Sequence, residues 1–139
     1  PSFANDGSIE VNAAGAVTCD PNLINQPTAH IELRGGALSA PTIVQKPGAI
    51  FTGQGTLVGN LIIEPRARVS LTGPTTVFGD LDIYPTATLE IQDAQVLVKG
   101  NIRNNGTIHL VGASIVPQGG WEGDGNVTST LGQPIGGAP

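Results

Sequence analysis

Charged side chains are scarce in this sequence: Lys, Arg, Asp and Glu make up 12% of its 139 residues, and aromatic residues make up 4%. So few aromatic rings leave little material for a sugar-binding cleft or a base-stacking surface. The formal net charge of −5 argues against a partner with a phosphate backbone. No apolar run approaches the roughly 18 residues that a membrane helix needs. We therefore expect neither nucleic-acid binding nor membrane insertion.

Methionine is absent, even from position 1, and cysteine occurs once. Because natural reading frames begin with Met, we expect a processed mature chain, most simply one that has lost a secretory signal. A chain shortened in another way would have the same composition. The single Cys19 cannot form an internal disulfide, so it is either a small half-buried side chain or a site for an intermolecular bridge. These features favour a secreted protein, extracellular or on a cell surface.

Glycine (20) and proline (11) are abundant, and they fall between short apolar segments, where tight turns need them. Apolar residues spaced by three and four, as an amphipathic helix requires, do not recur. Instead an apolar–polar–apolar triplet, whose outer side chains face opposite to the middle one, returns in steps of 22, 19, 19, 20 and 19 residues. Its copies are Ile9-Glu10-Val11, Ile31-Glu32-Leu33, a weaker one around Ile50-Phe51, Val69-Ser70-Leu71, Leu89-Glu90-Ile91 and Ile108-His109-Leu110.

A period of this length indicates repeated units that bury their apolar side chains only by stacking on one another. The middle copies align at an offset of 20, from Thr56–Pro65 to Thr76–Pro85. We therefore predict an all-β, single-domain parallel β-solenoid of about six coils, each with roughly 18–22 residues, three short strands and three turns. Pro65 and Pro85 mark one outer corner of the coil.

Equivalent aliphatic side chains of successive coils are expected to lie over one another in buried columns. The predicted columns are Val69, Leu89 and Ile108; Leu71, Ile91 and Leu110; Leu61, Leu81 and Ile102; and Leu57, Val77 and either Leu97 or Val98.

The pattern divides the chain into an N-terminal arm (1–7), a solenoid (8–116) and a Gly/Pro-rich tail (117–139). The tail is predicted to pack on its own solenoid or on a neighbouring subunit. It contains the only tryptophan, Trp121, and an isolated β-prone segment. We predict that this segment adds to a solenoid edge and, with Trp121, contributes to self-association: Val127, Thr128, Ser129, Thr130 and Leu131.

Two stretches, Gly55–Leu61 and Gly79–Ile91, resemble the β-helical passenger repeats of bacterial autotransporters and haemagglutinin-like adhesins, over roughly residues 40–112. That resemblance implies a right-handed β-helix and secretion. The chain is also similar in pattern to the polymerising bactofilins, whose short coils stack end to end. The stretch Thr72–Leu81 resembles bacterial ice-binding β-helices, although the regular outward threonine rows of that family are not evident here.

Candidate chemical groups are few, and each has a structural interpretation that we favour. Asp80 and Asp82 share one strand face, which we expect to be solvated. The recurrent Glu10, Glu32 and Glu90 are expected to solubilise an outer face. For both sets of carboxylates the alternative is that they bind a cation. His30 and His109 lack partners of the metal-ligand or nucleophile kind. Further candidates are the segment Glu122–Asn126 as a calcium loop rather than a plain glycine turn, and Asn105 and Asn126 as glycan acceptors.

No catalytic, cofactor or metal site emerges from this inventory, so we do not expect an enzyme. A solenoid presents two ends of unpaired backbone, and no amphipathic capping helix is evident at either terminus. The leading hypothesis is a secreted structural protein whose subunits associate with copies of themselves into an extracellular filament or surface layer. The alternative is an adhesin or other binding module that uses a flat solenoid face for a surface glycan or ice. A polysaccharide lyase or hydrolase is disfavoured by the short solenoid and the lack of convergent acids.

Overall fold

The computed structural model describes residues 3–20 and 22–131, and these residues form strands and turns in a parallel β-solenoid of about six turns. The predicted fold class is therefore confirmed. In this described part of the chain, no helix is long and apolar enough to cross a membrane. The strands are β1 (Phe3–Asn5), β2 (Ser8–Asn12), β3 (Ala16–Thr18), β4 (Leu23–Asn25), β5 (His30–Gln45), β6 (Ile50–Ile63), β7 (Arg68–Phe78), β8 (Leu81–Ile83), β9 (Thr88–Gln92), β10 (Gln95–Val98), β11 (Ile102–Asn104), β12 (Thr107–Val111), β13 (Ser114–Pro117), β14 (Trp121–Glu122) and β15 (Asn126–Leu131).

The strands stack into three faces, and the pairs within each face are parallel. Face 1 contains β2, β9, β12, β15 and the first parts of β5, β6 and β7. Face 2 contains β3, β10, β13, the middle parts of β5 and β6, and the end of β7. Face 3 contains β1, β4, β8, β11, β14 and the last parts of β5 and β6. Each chain segment therefore lies against the segment about one coil earlier and the one about one coil later.

In-register pairing places like side chains in vertical columns. Val69, Leu89 and Ile108 are successive register partners on face 1, and all three side chains are buried. Leu71, Ile91 and Leu110 form the column beside them, and Leu61, Leu81 and Ile102 form a buried column on face 3. On face 2 the column is Leu57, Val77 and Val98, so Val98 rather than Leu97 occupies the inward position.

The weak copy of the triplet has a different register from the one that its spacing indicated. Phe51 pairs with Ile31 and is only 1% exposed, whereas Ile50 pairs with His30 and is 46% exposed. Gly53 occupies the second inward position of this triplet, opposite Leu33. A side chain there would meet the Leu33 carbonyl, so the coil lacks the second apolar residue that the pattern requires.

The structure places the solenoid boundaries outside those predicted from the repeat. Phe3–Asn5 pairs with Leu23–Asn25, so the first coil begins within the expected arm. At the other end, β14 pairs with β11 and β15 pairs with β12, so these tail strands continue the same stack. The reason is that parallel pairing requires only extended backbone and inward–outward alternation, not the repeated sequence.

A ladder of side-chain amides runs inside face 3 near its N-terminal end. Asn5, Asn25 and Gln45 are register partners and are at most 6% exposed. The Asn5 amide donates to Asn25 Oδ1 at 3.0 Å, and the Asn25 amide donates to Gln45 Oε1 at 2.9 Å. The second N–H of Asn25 donates to the backbone carbonyl of Ile50 at 3.0 Å. Each buried amide is therefore satisfied both along the column and across it.

The corner before face 1 is a repeated four-residue turn with proline in its second position. In four successive coils the alanine N–H closes the turn onto the residue three before it, at 2.9–3.1 Å. The third position has a positive φ, as a type II turn requires: Thr28 (72°), Gly48 (84°), Arg66 (67°) and Thr86 (71°). Only one of these four positions therefore has the residue that adopts this conformation without strain.

Replacing Asn25 with alanine should lower the free energy of unfolding by about 2–4 kcal/mol, because two buried partners lose a hydrogen bond and a small cavity forms. Chemical denaturation measures the change. Asn60→Ala is the matched control, since the Asn60 amide oxygen accepts a single exposed bond from the Asp80 N–H. Equal destabilisation by both substitutions would contradict a stabilising role of the buried ladder.

Exchanging the turn residues of two successive coils should have opposite effects. Thr28→Gly relieves the strain of a β-branched residue at positive φ and should raise the free energy of unfolding by about 0.5–1 kcal/mol. Gly48→Thr should lower it by a similar amount, because an added Cβ meets only Pro27 at an ordinary 3.8 Å and the backbone strain is the main cost. Thermal unfolding of both variants tests this, and a loss of stability in Thr28→Gly would contradict it.

Candidate functional site

The interior of the described residues is filled by aliphatic side chains and a few neutral polar ones. Every buried side-chain nitrogen and oxygen among them has a hydrogen-bond partner. Among the same residues, no three His, Cys, Asp or Glu side chains are grouped so that they could hold a metal ion. The buried polar residues are Asn5, Asn25, Gln45, Thr75 and Asn104. Functional groups must therefore be sought on the three faces and at the two ends.

The recurrent glutamates lie in one outward row of face 1, but they are paired with arginines. Arg34 lies 3.2 Å from both Glu10 and Glu32, and Arg68 lies 3.1 Å from Glu90. Thr52 and Ser70 separate Glu32 from Glu90 along the row. The row is thus a mixed ion-pair surface, and such exposed pairs contribute about 0–1 kcal/mol each.

The two histidines lie in outward rows of face 1. His109 Nδ1 lies 2.6 Å from Thr128 Oγ1, its register partner in the last strand. His30 lies between Ser8 and Ile50 in its row. Neither position brings a carboxylate and a nucleophile together in the geometry of a catalytic pair.

Asp80 and Asp82 occupy face 3 and have different partners. Asp80 Oδ1 accepts a hydrogen bond from the Asn101 N–H at 2.8 Å. Asp82 lies 3.7 Å from Arg103, and Arg103 also contacts Glu122 at 3.3 Å. Partial burial raises the pKa of the Asp82 carboxyl, the Arg103 charge opposes this, and the Asp80 and Glu122 charges add to it.

The segment Glu122–Asn126 follows the preceding coil as an ordinary turn. The Asp124 N–H donates to Asn105 Oδ1 at 3.1 Å, and the Gly125 N–H donates to the Asn104 carbonyl at 2.8 Å. With Glu122 held by Arg103, the segment offers no convergent set of oxygen ligands. Of the two predicted glycan acceptors, Asn105 lies in the turn of the preceding coil that contacts this segment, and Asn126 is the first residue of β15.

Cys19 is buried, and burial raises the pKa of its thiol. It borders a shallow surface groove beside face 2, lined by Thr18, Asp20, Ser39, Val58 and Phe78 among others. A buried, protonated thiol is a weak nucleophile, so the position suits a packing role better than an intermolecular bridge.

Backbone groups alternate in direction along each coil. Where the side chain points inward, as at Leu61, the N–H donates to the following coil, here to the Asp80 carbonyl at 2.9 Å. Where the side chain points outward, as at Thr88, the N–H donates to the preceding coil, here to the Ala67 carbonyl at 3.0 Å. The two ends of the solenoid therefore present the backbones of two different sets of residues.

At the N-terminal end, outward residues direct their backbones away from the molecule. The His30 N–H donates to the Gly7 carbonyl at 2.8 Å, which fixes the parallel register of β2 on β5. In this register the N–H groups of Ser8 and Glu10 point away from the second coil. Among the described strands, β1, β2 and β3 each pair with a single neighbour.

At the C-terminal end, inward residues direct their backbones away from the molecule. The Asn126 N–H donates to the Gly106 carbonyl at 2.8 Å, so the N–H of Val127 points outward along the solenoid axis. Trp121 has the same orientation, because the adjacent Gly120 carbonyl accepts from Ile102. Both side chains pack against the core while only partly buried. Pro117, at the end of β13, has no N–H to offer.

The predicted self-association residues therefore lie at the C-terminal end, on the last strands of the stack. Thr128 pairs with His109 and Ser129 pairs with Leu110 within the same chain. Leu131 pairs with Val111 after a register shift, and Thr130 lies between the two. The side chains of Thr130 and Leu131 are outside the described part of the structure. The segment adds to an edge of its own solenoid and forms the new edge.

Three features of the surface and interior were not anticipated. The amide ladder was visible in principle, since Asn5, Asn25 and Gln45 recur at a spacing of 20 residues. All six basic residues lie between Arg34 and Arg103, so the first and last coils contain acids only. Val58 and Phe78 are exposed neighbours on face 2, and their proximity can be predicted only when the register is known.

Comparison of the chain with protein-family models, with curated proteins and with solved structures gave no match.

Replacing Asp82 with asparagine should raise the melting temperature near neutral pH but not near pH 3. The raised pKa means that the folded state binds this proton more tightly than the unfolded state, so ionisation costs stability as the pH rises above the ordinary value. Asparagine removes that cost. Melting curves from pH 3 to pH 8 test the difference, with Glu90→Gln, a carboxylate held by Arg68, as the control. A gain that is the same at every pH would contradict the argument.

Proposed function

We propose that this protein is a structural subunit, secreted and extracellular, that self-assembles through its solenoid ends into a filament or surface layer. The observation that carries the proposal is the pairing of the terminal strands. In the described part of the chain, β1, β2 and β3 at one end and β13, β14 and β15 at the other each have one neighbour. Parallel edges of this kind accept a further strand through main-chain hydrogen bonds.

Apolar side chains at the two ends support the same interpretation. Phe3 begins the inward column of face 3 and is 50% exposed, and Trp121 is at the other end of that column. Leu23, Leu81 and the other aliphatic members between them are buried. A second copy stacked on either end would cover the terminal aromatic side chain as the next coil covers an internal one.

Charge and proline at the ends limit how readily such stacking occurs. Asp6, Glu10 and Asp20 lie in the first coil, and Glu122 and Asp124 lie in the last. Two acidic ends repel each other at low ionic strength, so assembly is expected to require added salt. Pro117 also removes one donor from the C-terminal edge of face 2, and proline at an edge strand hinders pairing. Faces 1 and 3 are then the main contributors to stacking.

The alternative, an adhesin that binds a glycan or ice through a flat face, has less support. Among the described residues of face 2, Lys99 is the one charged side chain that points outward, so this face carries less charge than the other two. Phe78 is the one exposed aromatic ring in the described part of that face, and Lys99 lies 5.6 Å from the centre of the ring. Sugar-stacking platforms need more aromatic surface than this.

Substituting Glu10 with proline should abolish end-to-end assembly without unfolding the protein. The Glu10 N–H points away from the second coil, so proline removes a donor that only a second copy would use, and proline is tolerated at an edge strand. Negative-stain microscopy and light scattering in raised salt give the readout. We expect filaments or sheets from the parent chain and only small particles from Glu10→Pro.

Glu10→Ala is the matched control, because it removes the same carboxylate and its ion pair with Arg34 but keeps the N–H. It should assemble at least as well as the parent. Circular dichroism must show the same strand content for both variants. Assemblies of unchanged length from Glu10→Pro would refute strand addition at this end.

A further inference from the structure

Face 2 presents an outward surface of two columns that is almost free of charge. Every second residue of the face 2 strands is buried in the interior, as Leu38, Leu57, Val77 and Val98 are. The residues on either side of each buried one therefore point outward. Of the residues that the structure describes on this surface, Lys99 alone is charged. The two outward columns are Ala16, Ala37, Thr56, Thr76, Leu97 and Val116, and Thr18, Ser39, Val58, Phe78, Lys99 and Gln118.

The size of these side chains increases along the solenoid. The first two coils contribute Ala16, Thr18, Ala37 and Ser39, which form a shallow half. The next coils contribute a protruding half in which Val58 is 41% exposed and Phe78 is 46% exposed, followed by Leu97 and Lys99. The groove beside Cys19 lies along the shallow half, with Phe78 at its far end.

We propose that two copies of this chain pair through face 2, antiparallel, about a two-fold axis that passes through Val58. This arrangement places the protruding half of each copy on the shallow half of the other. Phe78 then packs over Ser39, Leu97 over Ala16, and Val58 over its own symmetry mate. The pairing concerns a side of the solenoid and is separate from association at its ends.

Charge selects the same arrangement. Lys99 takes part in none of the ion pairs of the described residues, and its ammonium group lies over the Phe78 ring. Antiparallel pairing brings Lys99 opposite Thr18, and the exposed carboxylate of Asp20 is the next outward position on that coil. Two symmetric Lys99–Asp20 contacts result.

A parallel pair, with the axis along the solenoid, is disfavoured by the same residues. Each coil would face the same coil of the other copy, so the coils that carry Phe78 would meet each other and so would the coils that carry Lys99. The bulky half would hold the sheets apart over the shallow half, and the like charges would repel. Complementarity of size and of charge therefore agree on the antiparallel orientation.

The interface is small, so the dimer is expected to dissociate on dilution. Five coils span about 24 Å at a spacing of about 4.8 Å, and four strand residues span about 13 Å. Such a patch covers about 310 Å² on each copy, or about 620 Å² in total, which is below the roughly 1,000 Å² of a stable specific interface and corresponds to a weak, transient contact. Cross-linking and sedimentation at several concentrations are therefore the suitable measurements.

Cross-linking at the symmetry axis tests the arrangement directly. Val58→Cys, made in a Cys19→Ala background, places two thiols opposite each other. Because packed sheets lie about 10 Å apart, a short bismaleimide rather than a disulfide is the probe. We expect covalent dimer from Val58→Cys at several times the yield from Ser70→Cys, an outward residue of face 1 made in the same background. Equal yields from the two variants would overturn the proposal, as would monomers alone.

A charge exchange tests the orientation. Sedimentation is measured in the Glu10→Pro variant, so that association at the ends does not contribute. Lys99→Glu should weaken dimerisation at least about tenfold, and adding Asp20→Lys should restore it, since the exchanged pair attracts again. A Lys99→Glu variant that dimerises like its parent, or a double variant that stays as weak as the single one, would overturn the antiparallel pairing. If face 2 binds a different partner, the Glu10→Pro parent will stay monomeric, and that result would also refute the proposal.

Discussion

The in-register parallel hydrogen bond between one coil and the next is the constraint on which the rest of this structure depends. It places each residue beside its counterpart one coil away, as Val69 lies beside Leu89 and Leu89 beside Ile108. A side chain can then be buried only if the same position in neighbouring coils is also compatible with the interior. The repeat in the sequence is the consequence of that restriction. Its weak copies mark coils in which the inward positions hold other kinds of residue.

The interior changes from apolar to polar along one column without losing its hydrogen bonds. Asn5, Asn25 and Gln45 occupy the same column as Ile63 and Ile83, and the amides are satisfied because each one is adjacent to another or to a turn carbonyl. Further along the same column, Asn104 is a buried amide that pairs with Ile83 and has no amide neighbour. Its Nδ2 donates to the Asn126 carbonyl and its Oδ1 accepts from the Gly106 N–H. A buried polar side chain is therefore tolerated in this column wherever another amide or the backbone of the following turn supplies its hydrogen-bond partner.

Sequence reasoning predicted the features that the repeat itself encodes and missed those that depend on exact register. The column of Leu61, Leu81 and Ile102 follows from offsets of 20 and 21 residues, because alternation and stacking leave these side chains one possible place. That Phe51 rather than Ile50 occupies the inward position could not be predicted. Both residues are apolar, and a shift of the register by one residue exchanges the inward and outward side chains. The coils at Phe3 and Trp121 were missed because they satisfy the geometry with residues unlike the repeat.

The direction of the backbone makes the two ends chemically different, and this gives any end-to-end assembly a polarity. Outward residues such as Glu10 offer their backbone at the N-terminal end, whereas inward residues such as Val127 offer theirs at the C-terminal end. A head-to-tail contact joins these two sets as one coil joins the next inside the molecule. A contact between two identical ends would instead bring together two strands running in opposite directions. Head-to-tail stacking therefore continues the existing geometry, and because each added copy exposes the same end again, it does not close.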